Sequence, residues 1–407
     1  MKIYVIYKKI YFKCIIFIIV IFLIFINFNI FLLKENQIEN LIIQFNKLKN
    51  KNNIKKFNYE KKIPKIKKYI KLLRKGYFKS TVYYNNVFRP KISFIATVFN
   101  KEKYLNSFIC SIQQQYLNEF ELIIVDDCSI DKSVEIINFF KSKDRRIKLL
   151  RNKKNMHSLY SRFKGAIFSR GKYISFVDSD DIILKEGLLN SYNYIKNNDL
   201  DMVQFNSILE TKDKIWINRR CYKYLSIIYQ PILSYIYYYN NNKGIEINYY
   251  LWDKLIKKKV VFKSLYYIGL KFLHKKIIIE NDVVLLFSLF RNANSFQYID
   301  ELGYYSNRNN ADSVFNSAYD LNKSNQIIYS IFSNIEFLYD KTENTKFSKY
   351  FCIFKLLQGY NRYINSFNHL NNNTLKRVNF ILNKLLKSNY ISLNDKIKIK
   401  NISQKIS

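Results

Sequence analysis

Glycine, proline and acidic residues are all scarce in this sequence of 407 residues. It has 8 glycines and 3 prolines, and 68 basic against 31 acidic side chains give a formal charge of +37. Such a charge is typical of nucleic-acid-binding proteins. The basic residues are, however, spread along the whole chain, and lysine, asparagine, isoleucine, tyrosine and phenylalanine are over-represented together. We therefore interpret the charge as a compositional bias. It predicts a mild attraction for anionic lipid or substrate and no nucleic-acid partner.

Cysteine and histidine are also few. The 5 cysteines are odd in number and widely separated, and none forms a C-x-x-C pair. No zinc site or disulfide framework can be argued from such spacing. The 3 histidines are equally scattered. We therefore expect any bound metal ion to have oxygen ligands.

One long run without charge lies near the N-terminus, where lysines precede the 20 residues "CIIFIIVIFLIFINFNIFLL" (14–33). A helix of roughly 20 apolar residues spans a bilayer core. A cleaved signal peptide would have a shorter apolar region that ends in small residues, and no such site follows. We predict a tail and membrane anchor over residues 1–33 and a basic stem over 34–89. The protein would be single-pass, in an ER- or Golgi-type membrane if the source is eukaryotic.

From Pro90 onward, apolar strand patterns alternate with helical patterns. The runs "ISFIATV" (92–98), "FELIIV" (120–125), "RIKLL" (146–150) and "YISFV" (173–177) read as strands, and amphipathic stretches lie between them. Alternation of this kind predicts an α/β fold whose mainly parallel sheet is flanked by helices.

Aspartates follow two of these predicted strands directly. Asp126 and Asp127 end the second run, and Asp178, Asp180 and Asp181 end the fourth. Ligands of open α/β sheets bind beyond the carboxyl ends of the strands, so we expect these side chains to share one crevice. Like charges this close cost free energy unless a cation lies among them. The pattern predicts a Mg²⁺- or Mn²⁺-dependent nucleotide site, since such ions combine carboxylates with phosphate oxygens.

Two segments carry a family resemblance. "SFIATVFNKEKYLNSFICSIQQQYLNEFELIIVDDCSIDKS" (93–133) resembles the opening of family 2 glycosyltransferases with the GT-A fold. "SRFKGAIFSRGKYISFVDSDD" (161–181) resembles the helix and the metal-binding DxD segment of that family. The resemblance covers roughly residues 91–313. It implies a catalytic domain over 90–313 with a nucleotide-binding sheet, followed by a helical C-terminal extension over 314–407.

The resemblance also implies which residues contact the donor, a nucleotide sugar and by implication a UDP-sugar. Thr97 and Asn100 would lie beside the nucleotide base, at the end of the first strand. Either Asp126 or Asp127 would hydrogen-bond the uracil or the ribose. Asp178 would belong to the segment that contacts ribose and metal.

The metal-binding residues follow from the same resemblance. Asp180 would be the leading ligand of Mn²⁺ or Mg²⁺, with Asp178 and Asp181 beside it. The nucleoside diphosphate gathers negative charge as it departs, and a bound cation stabilises that charge in the transition state.

A general base is expected where family members have an acidic pair at the start of an apolar helix. The counterpart here is "IIIENDVVLLFSLFRNANSF" (277–296). Asp282 heads that helix and is the predicted base, with Glu280 as the alternative. Asp282 as a helix N-cap is an equally good interpretation of the sequence alone.

Three positions qualify the resemblance. The family's glutamate before the base is Asn281 here, and many members have a glycine after the asparagine where this chain has Met156–His157. Trp252, in another family-like segment, fits either a sugar platform or the core.

The predicted function is transfer of one sugar, with inversion, to a hydroxyl of a glycan, lipid or protein. A processive synthase is disfavoured because "QGYNRY" (358–363) lacks the QxxRW pattern. A haloacid-type phosphotransferase would have its aspartates on the first strand, and a nucleotidyltransferase would have a glycine-rich phosphate loop there. The remaining alternative is a membrane-tethered GT-A-like scaffold without turnover.

Overall fold

A sheet of ten strands with helices on both faces organises the described residues. The computed structural model describes residues 62–76, 89–211, 214–218, 228–229, 250–308, 324–341, 370–387 and 393–406. The strands are β1 (Ile92–Val98), β2 (Phe120–Asp126), β3 (Ile147–Arg151), β4 (Tyr173–Asp178), β5 (Ile182–Ile183), β6 (Met202–Glu210), β7 (Ile215–Asn218), β8 (Ile228–Tyr229), β9 (Lys254–Lys257) and β10 (Ser295–Asn307). The helices are α1 (Ile63–Arg74), α2 (Glu102–Gln113), α3 (Ser133–Lys143), α4 (His157–Ile167), α5 (Lys185–Asn197), α6 (Lys258–Ile268), α7 (Leu270–Leu273), α8 (Asn281–Asn292), α9 (Ser324–Lys341), α10 (Asn372–Leu386) and α11 (Leu393–Ile406).

The first four strands form the predicted parallel half of the sheet. Their spatial order is β3-β2-β1-β4, and all three pairings are parallel. β1 is buried on both faces, which is why its sequence is a nearly continuous apolar run. Its side chains alternate between two apolar layers, with Phe94 and Ala96 in one and Ile95 in the other.

The second half of the sheet is mixed, so the prediction of a mainly parallel sheet holds only for β1–β4. β9 is antiparallel to both β4 and β6, β6 is parallel to β10, and β5 is antiparallel to β10. The sequence pattern does not predict β9, because both of its end residues are lysines, which are buried in the structure. Acidic neighbours compensate them: Lys254 pairs with Asp253 at 2.6 Å and Lys257 with Asp201 at 3.2 Å.

Two apolar layers cover the sheet. Residues of α1, α2 and α5 fill one layer, and residues of α6, α8, α9 and α10 fill the other. α9 packs against α8, α10 against α9, and α11 against α10. The helices after residue 323 therefore pack against one another and extend the apolar layer that contains α8. The predicted domain boundary at 313 lies outside the described residues.

The predicted fold class needs a correction concerning the membrane helix. Among the described residues, no helix has the length and apolar character needed to cross a bilayer. The run 14–33 on which that prediction rested lies outside these residues. The fold that the structure supports over the described residues is a mixed α/β sheet with flanking helices.

Candidate active site

Three strand ends converge at one edge of the sheet. In the register of the sheet, Thr97 of β1 pairs with Asp178 of β4, and the next residue, Val98, pairs with Asp126 of β2. The hydroxyl of Ser179 donates to the carbonyl of Thr97 at 2.9 Å, which ties the acidic segment to β1. Parallel pairing thus brings the predicted donor and metal residues to the same edge.

The three aspartates after β4 each have a different neighbour. Asp180 forms an ion pair of 2.8 Å with Lys101, and the Nη2 of Arg162 lies 3.2 Å from Asp178. Asp181 is buried and accepts a hydrogen bond of 3.0 Å from the backbone N–H of Asn307. The acids are therefore held apart by separate partners.

The electrostatics of this segment are unfavourable for negative charge. Burial raises the pKa of Asp178 to about 6; the charges of Asp282 and Asp180 act in the same direction, and that of Arg162 opposes them. Burial and the charges of Asp180 and Asp178 also hold the pKa of Asp181 well above its usual range. The neighbouring cations thus do not offset the crowding, and additional positive charge would stabilise the ionised acids.

Arg162, on α4, joins the acidic segment to the predicted base. Its guanidinium donates to Asp178, to Asp282 and, at 2.6 Å, to the amide oxygen of Asn281. Its side chain is 7% exposed, whereas those of Asp178 and Asp282 are 34% and 28% exposed. Burial lowers the pKa of Arg162, but the charges of Asp282 and Asp178 outweigh that effect and raise it. Two partly exposed carboxylates therefore share one buried cation.

The role of Arg162 is not predicted from the sequence, although the sequence contains a signal for it. It lies in the apolar helical pattern of Leu159, Phe163 and Ala166, so it falls on the buried side of α4. Arginine is seldom fully buried unless it is paired. A cation in that position predicts an acidic partner, but the sequence does not say which one.

Asp282 lies in the first turn of α8 and is not its N-cap. The N-cap position belongs to Glu280, which makes no side-chain capping bond, and the carboxylate of Asp282 contacts Arg162. The capping interpretation of Asp282 is therefore wrong. Asn281 receives the bond from Arg162 and donates to Ser158 Oγ at 2.7 Å, so its amide connects α8 to the start of α4.

Asn100 shapes the loop that follows β1. Its φ of 52° is in the left-handed region, which asparagine tolerates better than most residues. Its N–H donates to Ser129 Oγ at 3.0 Å, and its side-chain oxygen accepts from the N–H of Ile130 at 3.0 Å. The loops after β1 and β2 are thereby joined beside Thr97.

Asp126 and Asp127 are both buried and both bonded. Asp126 accepts from Arg151 Nε at 3.0 Å and from the N–H of Ser129 at 3.2 Å. Asp127 accepts from Asn152 Nδ2 at 2.7 Å and from the N–H of Met156 at 2.8 Å. Each therefore has a structural role at the end of β2.

Trp252 belongs to the core. It is buried between Tyr304 and Tyr250, with ring centroids 4.3 Å and 4.7 Å away and nearly parallel planes. The Tyr304 hydroxyl accepts from the N–H of Asp178 at 3.0 Å. Trp252 therefore supports the acidic segment through Tyr304, and the sugar-platform interpretation is wrong.

His157, in the pair Met156–His157 where the resemblance predicts a glycine, has a φ of 65°. A side chain in this left-handed region costs about 1–2 kcal/mol, a cost that glycine avoids. We expect His157→Gly to be more stable than His157→Ala by about 1 kcal/mol, because only glycine avoids the steric cost of a Cβ atom at this positive φ. Urea unfolding of both variants measures this difference.

The control for that comparison is His274, whose φ is −86°. At an ordinary backbone angle alanine is the more stable residue, so His274→Gly should be less stable than His274→Ala. The same order at both positions would contradict the interpretation of His157.

The residues after β4 fit a hard divalent cation only as part of a larger ligand set. Within the residues that the structure describes, no three histidine, cysteine or acidic side chains come together as a ready-made metal site. Mg²⁺, however, is commonly bound through one or two carboxylates together with substrate phosphates. Asp178 and Asp180, which lie close together in this acidic segment, fit a cation that binds with a diphosphate.

Comparison with known proteins identifies the family. Residues 93–261 match the family model described as Glycosyl transferase family 2. This segment belongs to glycosyl transferase family 2. The match includes the strand ends, the acidic segment and Arg162, and it ends before Asp282. The resemblance inferred from the sequence is therefore confirmed.

Curated relatives align with parts of the chain. An uncharacterized glycosyltransferase of Haemophilus influenzae is 42% identical over 29% of this chain and 47% of its own length. Another, from Methanocaldococcus jannaschii, is 38% identical over 28% of this chain and 41% of its own. The cholesterol galactosyltransferase of Borreliella burgdorferi is 27% identical over 58% of this chain and 65% of its own. The chain thus spans less than two thirds of each of these relatives.

Among solved structures, S. aureus TarS 1–349 in complex with UDP-GlcNAc superposes with a TM-score of 0.56. The match covers 78% of this chain and 88% of that one at 16% identity. Identity this low establishes the fold alone. The fold of the described residues is therefore a GT-A-like mixed α/β fold.

Proposed function

We propose that this family 2 chain is a glycosyltransferase that moves one hexose from a UDP-sugar to an acceptor hydroxyl. The observation that carries the proposal is the bridge from Asp178 through Arg162 to Asp282, which unites the predicted metal segment and the predicted base. The family match of residues 93–261 supports it. So does the fold shared with TarS, whose crystal structure contains UDP-GlcNAc.

The nucleotide would bind where the ends of β1 and β2 meet. Thr97, Asn100 and either Asp126 or Asp127 lie there, on loops that hydrogen bonds hold in place. Relatives are named as a cholesterol galactosyltransferase and a poly(ribitol-phosphate) beta-glucosyltransferase, so acceptors differ widely among them. We therefore propose a hexose as the transferred group and leave the acceptor as a glycan, lipid or other hydroxyl compound.

Asp180 and Asp178, with Asp181 beside them, would hold Mn²⁺ or Mg²⁺. The cation would supply charge stabilisation to the departing diphosphate. Asp282 takes the proton from the acceptor hydroxyl while that oxygen forms a bond to the anomeric carbon. The bond from this carbon to the diphosphate oxygen breaks on the opposite side, and its electron pair leaves with UDP. Attack from the opposite side inverts the configuration.

Replacing Asp180 tests the metal and donor site. We expect Mn²⁺ with UDP to raise the melting temperature of the wild-type protein by several degrees, because saturation at about 100 times Kd adds about 2.7 kcal/mol. In Asp180→Ala this increase should be lost. Without metal, the melting temperature should change little, because Asp180 repels its acidic neighbours but attracts Lys101.

The control is Asp340→Ala, which removes a half-exposed aspartate from α9 that pairs with Lys384. It should keep the full response to Mn²⁺ and UDP. An Asp180→Ala protein that responds as strongly as the wild type would show that the acidic segment is not the donor site.

A further inference from the structure

The turn that leads into α8 has an unfavourable backbone. Glu280 has a φ of 53°, in the left-handed region, and it immediately precedes Asn281 and Asp282. Non-glycine residues keep such angles only where the surrounding structure holds them. Something outside the turn must therefore stabilise it.

Helix α9 forms three hydrogen bonds with residues 278–280 of this turn. Ser330 Oγ accepts from the N–H of Ile278 at 3.0 Å. The side-chain amide of Asn334 donates to the carbonyl of Glu280 at 3.1 Å and to that of Ile279 at 3.4 Å. Ser330 and Asn334 are four residues apart, so they lie on the same face of the helix. Both are buried, and Asn334 is 3% exposed.

The rest of that helix face is apolar. Ile327, Ile331 and Leu338 are buried in the layer that also contains Val284 and Leu285 of α8. Polar side chains in such a layer cost free energy unless they form hydrogen bonds. Leucine would pack better than a polar residue at positions 330 and 334. The hydrogen bonds to the turn therefore explain why Ser330 and Asn334 are polar.

We infer that α9 positions the base: Asn334 and Ser330 hold the turn 278–280 so that Asp282 reaches Arg162 and faces the donor site. This inference rests on the proposed function of Asp282. α9 lies outside residues 93–261, so the family match assigns it nothing. Asn334 is a positioning residue, since it acts on Asp282 through the backbone of the turn.

The test uses the 407-residue chain with Asn334→Leu, which keeps the number and branching of the side-chain heavy atoms but removes the hydrogen-bond donor. The first readout is amide hydrogen exchange of the turn, and we expect exchange over 278–283 to be about 10-fold faster. The second readout is transfer kinetics with a UDP-sugar. A small misplacement of the base should lower kcat by about 10-fold or more and leave the KM for the donor unchanged.

Two control variants separate positioning from general stability. Ser333→Ala lies on the same helix, and the buried hydroxyl of Ser333 has no hydrogen-bond partner among the described residues. Ile331→Val removes one buried methylene and lowers the melting temperature without touching a bond to the turn. Both should leave kcat and the exchange of the turn unchanged. Equal losses of kcat in Ile331→Val and Asn334→Leu would overturn the inference.

Comparison with Asp282→Asn distinguishes the two proposals. Normal exchange and normal kcat in Asn334→Leu, with transfer lost in Asp282→Asn, would overturn the inference and leave the proposed base intact. Faster exchange with normal kcat would also overturn it, because the turn would then not matter for catalysis. Reduced kcat in Asn334→Leu with normal transfer in Asp282→Asn would reject Asp282 as the base and would overturn the inference with it.

Discussion

Asp282→Asn should lower the rate of sugar transfer by about 10²–10⁴-fold, the usual contribution of a general base. Asparagine keeps the shape of the side chain but cannot accept the proton of the acceptor hydroxyl. UDP affinity should be unchanged, because the donor would bind at the ends of β1, β2 and β4. Calorimetry with UDP and Mn²⁺, together with initial rates of transfer, measures both quantities.

Glu280→Gln is the matched control for that variant. Glu280 is the alternative base and stands two residues away, at the N-cap position of α8. Its replacement should leave transfer within the range of the wild type. Normal transfer by Asp282→Asn combined with lost transfer by Glu280→Gln would move the role of base to Glu280.

Arg162→Ala should impair both stability and activity. The variant leaves Asp178 and Asp282 near each other without the cation that they share. Removing one partner of a buried ion pair costs 3–5 kcal/mol, and the partial exposure of both acids places the expected loss near about 3 kcal/mol. Transfer should fall as well, since the base loses the group that orients it. Urea unfolding and transfer rates check the two effects.

Two further variants define what Arg162 does. Arg162→Lys keeps the charge but not the planar fork that reaches two carboxylates, so stability should recover more than transfer does. Arg170→Ala removes an arginine that is 56% exposed and pairs with Glu121 at 3.5 Å. Its partner Glu121 is buried, but Lys148 and Ser93 also donate hydrogen bonds to that carboxylate, so this variant should lose little. Equal effects at the two arginines would contradict the bridging role.

The sequence predicted the strand ends of this site because their signals are local. Each strand is a short apolar run, and Asp126 and Asp178 directly follow such runs. Parallel order then brings the aspartates to one edge without further information. The same reasoning could not find β9, because its lysines indicate a surface segment. Only the structure shows that Asp201 and Asp253 pair with these lysines and allow them to be buried.

The contacts that the sequence could not supply are all distant along the chain. Arg162 reaches Asp282 across 120 residues, and Asn334 reaches Glu280 across 54. The local sequence pattern around Arg162 or Asn334 does not indicate which distant residue each one contacts. Likewise, the stacking of Trp252 on Tyr304 decides between core and sugar platform only once β10 is in place. The residues at the strand ends were therefore predictable from the sequence, and the distant contacts that position them were not.

The most direct test of the account is release of UDP by the full-length protein. The protein is incubated with UDP-glucose, UDP-galactose and UDP-GlcNAc in turn, with Mn²⁺ and with simple glycosides as acceptors, and UDP is quantified. We expect UDP to be released from at least one donor, and we expect an acceptor to increase the rate of release. Release should be lost when EDTA is added, and it should also be lost in Asp180→Ala and in Asp282→Asn. Binding of UDP without release from any donor would favour a scaffold without turnover. No binding of UDP or of any UDP-sugar would contradict the account.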